Sequence, residues 1–114
     1  MIYASESRSL ATVEFLVHVP RAYAPQKLSI ATLEIPDDIV SEEIPVSLLP
    51  RNWRSFPSPL KLADLGTAWT HRNSGLLLRV PSAAVEHEHN ILINPSYHDI
   101  RRVVVAAIER FVFD

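Results

Sequence analysis

Leu76-Leu77-Leu78-Arg79-Val80-Pro81-Ser82 is the stretch from which the rest of the chain can be read. Branched aliphatic residues fill it and a proline closes it. That combination predicts a core strand over 76–80, because proline has no N–H to give to a sheet ladder. Ser82 then sits at the strand's end, where polar side chains often line a cleft. The plainer alternative for Ser82 is an ordinary turn serine. No Gly-x-Ser-x-Gly elbow surrounds it, which argues against a serine-hydrolase nucleophile.

Downstream, Ile91–Ile93 reads as a second strand stopped by Pro95, and Val103–Ile108 with Arg110–Phe113 closes the chain as strand. Upstream, Leu60–Arg72 has helical spacing, with Leu62, Leu65 and Trp69 on its inner face. Residues 36–59 are a long proline-broken connection with room for one short helical turn. Residues 28–35 alternate on Leu28, Ile30 and Leu33/Ile35, a strand whose register is blurred at Ala31 and Thr32. Residues 7–19 predict a helix, capped by Ser5 or Ser7 and ended by Pro20. Its apolar face carries Leu10, Val13 and Val17, with Leu16 beside them. Ile2–Ala4 reads as the tail of a strand. The resulting order is strand, helix, strand, long connection, helix, then several strands. This is an α+β fold, not a regular parallel βαβ repeat.

The 114 residues are one domain's worth of chain. With 47% hydrophobic and 21% charged residues, the composition is that of a globular domain rather than a disordered segment. A net charge of −2 gives no electrostatic case for direct nucleic-acid binding or for an anionic membrane. No apolar run approaches the roughly 20 residues of a membrane-spanning helix. The first residues lack the basic-then-apolar pattern of a secretory leader. The absence of cysteine excludes disulfides, thiolate nucleophiles and cysteine-bound zinc, and fits a cytoplasmic setting. Gly66 and Gly75 stand alone, so no glycine-rich phosphate loop can be built.

Several side chains could carry chemistry. Glu14 lies four residues after Leu10 and three before Val17, which sets its carboxylate on or beside the apolar helix face. A carboxylate there is paired, neutralised or in use, or else reaches solvent at the helix edge. Tyr3 ends a strand before that helix and could stack on a ring, or be a core tyrosine with a tethered hydroxyl. Glu86-His87-Glu88-His89 invites a metal assignment, but His98 does not complete any ligand spacing, and a solvated loop is the better reading. Arg51, Trp53 and Arg54 place cations beside an aromatic ring that could stack on a base. A structural tryptophan in a proline-rich loop explains them more simply. Glu34, Asp37, Asp38, Glu42 and Glu43 form an acidic stretch, read as a solvated face and secondarily as a docking edge.

Together these segments resemble a family. Ile2-Tyr3-Ala4-Ser5-Glu6-Ser7, Leu10-Ala11 and Glu14 are similar to the opening "VYAS(E)…A..E" segment of RES-domain toxins. The likeness continues through Leu33-Glu34-Ile35-Pro36, Leu49-Pro50-x-x-Trp53-Arg54, Pro57-x-Pro59 and Leu65-Gly66-x-Ala68-Trp69. It ends with Leu78-Arg79-Val80-Pro81-Ser82-Ala83, Asn90-x-x-x-Asn94-Pro95 and Arg110-Phe111-x-Phe113-Asp114.

The resemblance implies one RES domain over residues 1–114, with an ADP-ribosyltransferase-like mixed sheet and flanking helices. It implies the toxin of a bacterial type II toxin–antitoxin pair, which depletes NAD by cleaving the nicotinamide–ribose bond. NAD would be a consumed substrate rather than a cofactor. By motif match, Glu14 and Ser82 are the catalytic pair, Tyr3 and Ser82 bind substrate, and no metal takes part. The implied partner is a helix-turn-helix (Xre-type) antitoxin, with room for a homodimer within the complex. Family members carry a further segment before the one that begins here, with a Gly-Gly-Arg-Trp-Asn-like loop and an early arginine. The chain is therefore expected to be short at its N-terminus, leaving the strand at Ile2 with an open edge. Two alternatives follow: ADP-ribose transfer to a protein target, or a shortened, non-enzymatic antitoxin-binding module.

Overall fold

The computed structural model describes residues 1–18, 27–55 and 60–112. Pro20, Pro25, the Pro57-x-Pro59 motif, Phe113 and Asp114 lie outside them, and so do the helix stop and motif ends expected there. The elements run β1 (Ile2–Ser5), α1 (Arg8–His18), β2 (Leu28–Glu34), β3 (Glu42–Glu43), α2 (Leu60–Arg72), β4 (Leu77–Pro81), β5 (His89–Ile93) and β6 (Val104–Phe111). The fold is α+β, as the element order predicts.

β4 and β5 are the centre of a four-stranded mixed sheet in the order β1-β5-β4-β3. β5 is antiparallel to both β1 and β4, whereas β3 runs parallel to β4. The unbroken leucines at 76–78 have a physical reason: this sheet is covered on both faces. On one face Leu78 pairs with Leu92 and packs under Trp69 of α2. On the other, Leu77 and Ile93 meet Leu76 together with Leu33, Ile35, Ile39, Tyr97 and Ile100. Each fully buried leucine contributes about 1.5–3 kcal/mol of hydrophobic stabilisation. β2 and β6 form a separate antiparallel pair, and the blurred register expected near Thr32 is a pairing irregularity between Thr32 and Leu33.

Four expectations need correction. The connection at 36–59 contains, besides the expected short helical turn at Val46–Leu48, a strand that was not expected, β3. Two residues are too few to show a period. The end of the chain is one strand through Glu109, not two. The acidic stretch is not uniformly solvated: Glu42 accepts hydrogen bonds from Trp69 Nε1 at 2.6 Å and Ser74 Oγ at 3.0 Å. Finally, α1 buries Leu10 but leaves Val13, Leu16 and Val17 exposed. The helix turns Ala11, Glu14, Phe15 and Val17 toward a cleft rather than a closed core.

Ser7, not Ser5, caps α1: its Oγ accepts from Leu10 N–H at 3.0 Å. Asn73 follows α2 in the left-handed region, φ 51°, where a short polar side chain is tolerated. Its Oδ1 accepts from the fully buried Asn94 at 2.8 Å, so Asn94 of the Asn90-x-x-x-Asn94 motif ties the end of α2 to the end of β5. Arg79 Nε donates to Glu6 at 2.6 Å, and this bond raises the guanidinium pKa further. Among the described residues, no helix is long and apolar enough to cross a membrane.

Candidate active site

Strand alternation builds the site. Leu78 and Val80 face α2, and Ser82, two residues on, continues that parity. On β5 the matching residues are Asn90, paired with Val80, and Leu92, paired with Leu78. On β1 they are Ser5, paired with Asn90, and Tyr3, paired with Leu92. Three strands thus present a polar row next to an apolar one. A one-residue slip in register would turn both rows to the other face.

Glu14 reaches this surface from α1. Its Oε1 accepts a hydrogen bond from Ser82 Oγ at 2.6 Å and from Asn90 Nδ2 at 2.9 Å. Ser5 Oγ donates to Asn90 Oδ1 at 2.7 Å. Ser82 Oγ also accepts from the backbone N–H of Ala84 at 3.1 Å and Val85 at 3.0 Å. A hydroxyl has one proton and two lone pairs, so Ser82 is fully used. It is 1% exposed. Glu14 and Ser82, 68 residues apart in sequence, therefore form one unit in which the serine's only proton points at the carboxylate.

The unit borders a cleft of about 770 Å³, a size that suits a small molecule. Its walls include Tyr3, Ser5, Ala11, Phe15, Leu49, Trp53, Arg54, Leu62, Leu65 and Asn90. Tyr3 is 72% exposed, which overturns the core-tyrosine alternative and leaves its ring available on the wall. The Arg54 guanidinium lies 5.7 Å from the centre of the Trp53 ring, a cation–π distance. Apolar walls reduce the screening of charge, so a carboxylate here acts on a nearby cation more strongly than in water. His87, His89 and His98 do not line the cleft, and His89 is not a solvated loop residue: it opens β5 with its Nδ1 buried. His87 is a solvent-facing loop residue beside Glu86, and His98 stacks on Tyr97. Among the described residues, no group of three His, Asp or Glu could hold a metal ion.

Helical spacing marks Glu14, and the family resemblance adds Ser82 and Tyr3; the fold sets Glu14 and Tyr3 on one cleft, with Ser82 buried behind the glutamate that it hydrogen-bonds. The sequence alone does not mark Asn90 and Ser5 as site residues. Local pattern offers Ser5 as one of two candidate helix caps, and Asn90 as one position of a spaced motif. The available signal was parity: an asparagine in an otherwise apolar strand, on the face that Ser82 shares.

The molecule is an α+β domain that holds a hydrogen-bonded glutamate on the wall of a largely apolar cleft of small-molecule size. Its family is defined by the whole chain: residues 1–114 match the RES domain, and the protein belongs to that family. It is 29% identical to the Prs ADP-ribosylating toxin of Sphingobium sp. (strain YBL2), over 100% of this chain and 72% of the relative. It is 38% identical to Toxin Res of Yersinia enterocolitica, over 84% of this chain and 62% of that protein. Toxin Res of Photorhabdus laumondii is 27% identical over 90% of this chain and 65% of its own length. The chain thus spans 62% to 72% of these three curated relatives.

Proposed function

We propose that this RES domain cleaves NAD at the nicotinamide–ribose bond, with Glu14 as the carboxylate that stabilises the transition state. The bond between the pyridine nitrogen and ribose C1′ breaks, and its electron pair returns to the nitrogen. The leaving nicotinamide loses its positive charge and needs no proton. Positive charge moves to the ribose, giving an oxocarbenium-like centre whose C1′ is then bonded by water, which gives up a proton to solvent, or by phosphate. A carboxylate fixed beside that centre favours the transition state over the ground state, most of all in a poorly screened cleft. Tyr3 stacks on the nicotinamide ring. Arg54 offers a cation to the pyrophosphate and Trp53 an aromatic surface. Ser82, whose proton is committed to Glu14, serves the carboxylate. NAD is the substrate, and no cofactor enters the scheme.

The observation that carries this reading is the Ser82–Glu14–Asn90 unit on the wall of the cleft that Tyr3 lines. Membership of a toxin family supports it, as does one relative's description as an ADP-ribosylating toxin. That description also favours a second reading, in which a protein side chain accepts the ADP-ribose in place of water or phosphate. In the wider setting, the domain acts in the cytoplasm as the toxin of a toxin–antitoxin pair. A helix-turn-helix antitoxin would cover the cleft.

The test is nicotinamide release from NAD by the purified chain, with and without phosphate, beside Glu14→Ala. Release that requires Glu14 is the expected result. Release that persists in Glu14→Ala removes the glutamate from the mechanism. No release from folded wild-type chain overturns the enzymatic reading and favours a binding-only module.

A further inference from the structure

We infer that Asn90, tethered by Ser5, is a positioning residue that sets the direction of the Glu14 carboxylate; this rests on the NAD-cleaving reading above. A glutamate side chain turns about three single bonds. One donor fixes a point but not a direction. Ser82 and Asn90 approach the same Oε1 from different strands, one just past β4 and the other on β5, so together they restrict rotation about it. The Asn90 amide has one workable orientation. An ionised carboxylate only accepts, so Nδ2 must face it, and a flipped amide would set oxygen against oxygen. Oδ1 then faces β1, where Ser5 donates to it. Asparagine is disfavoured in strands, and Asn90 is half-buried on a strand paired on both sides, between Ser5 and Val80. Its amide joins the carboxylate on α1 to the hydroxyl on β1.

Asn90 and Ser5 are also clean probes. Ser82 supports the turn at 82–85 through two backbone bonds, so its loss mixes folding with function. The described contacts of the Asn90 and Ser5 side chains lead to Glu14 and to each other.

The test measures kcat and KM for nicotinamide release from NAD in wild type, Asn90→Ala, Asn90→Asp, Ser5→Ala and Ser5→Ala/Asn90→Ala. Hydrogen bonds to charged groups predict a kcat loss of about 10- to 100-fold for Asn90→Ala with little change in KM. Ser5→Ala loses less, and in the Asn90→Ala background it adds nothing, because its effect passes through the amide. Carboxyl carbon NMR of Glu14, assigned with Glu14→Gln, gives a readout free of turnover. Its signal should move in both single alanine variants. An unchanged kcat in Asn90→Ala, or a loss confined to KM, overturns the inference while the NAD reading stands. If the folded wild type releases no nicotinamide, the NAD reading fails, and an unmoved Glu14 signal overturns the positioning role on its own. Should Asn90→Ala fail to fold, Asn90→Asp and Ser5→Ala carry the same comparison.

Discussion

Glu14 and Glu42 are two half-buried glutamates that each accept hydrogen bonds from side chains of two other segments, yet they do opposite work. Glu42 takes the indole N–H of Trp69 and the hydroxyl of Ser74, and it lies against Gly75. It joins β3, α2 and the turn before β4, and its bond to Trp69 reaches the packed side of the sheet, while Ser74 meets it at the surface. Glu14 takes Ser82 and Asn90 on the wall of an open cleft. Counting bonds does not separate a structural carboxylate from a functional one. What adjoins the carboxylate does: core in one case, space for a ligand in the other.

The comparison breaks most sharply if the two residues are exchanged in effect. Glu14→Gln keeps the shape and removes the charge. Nicotinamide release should fall by about 100-fold or more, the scale for losing one preorganised electrostatic group. Its thermal midpoint should stay near that of wild type. Equal loss of stability would make Glu14 a structural residue. Glu42→Ala should do the reverse. It leaves the Trp69 N–H buried without an acceptor, a cost of about 1–3 kcal/mol. Thermal melting should register it clearly, while any folded fraction keeps its kcat. A smaller effect tests the packing. A Cβ on Gly75 would stand 2.8 Å from Glu42 Oε2, closer than real contacts allow. Gly75→Ala should therefore destabilise by about 1 kcal/mol through displacement of Glu42. The same substitution in the Glu42→Ala background should be nearly neutral.

The smallest effect comes from a third carboxylate. Asp38 belongs to the same acidic stretch as Glu42 but is exposed, and Arg102 Nη2 donates to it at 2.6 Å. That bond holds the Asp38 carboxyl below its ordinary range. Because its pKa is lower folded than unfolded, the pair's stabilisation is present above the unfolded pKa. It fades as pH falls through the folded value. In an NMR titration, Arg102→Gln should raise the Asp38 midpoint toward that of a free aspartate, with only a slight change in melting. An unmoved midpoint would mean that solvent, not Arg102, sets it.

These residues also show what could be read from the chain. β4 and β5 were legible because aliphatic runs end at Pro81 and Pro95. Glu14 was legible because helical spacing placed it beside Leu10. The burial of Glu42 was not. It depends on a two-residue strand meeting Leu78 and Arg79, and no local pattern records a contact that distant. Helical spacing likewise grouped Leu10, Val13 and Val17 but could not say that only Leu10 meets the core. The sequence marks Ser82 by its place after a strand. That its hydroxyl is saturated follows only from the turn that brings the N–H groups of Ala84 and Val85 back to it.

β1 is four residues long and pairs only with β5 among the described residues, yet it carries both Tyr3 and Ser5. A short edge strand with one neighbour opens far more often than the central strands of its sheet. When β1 frays, the cleft loses its exposed ring and Asn90 loses its anchor, while Leu77, Leu78, Leu92 and Ile93 stay packed. Hydrogen exchange should accordingly be fast at β1 and slow at β4. Among the described residues Tyr3 and Ser5 are thus held to the site only through β5, so the site can come apart while the centre of the sheet stays packed.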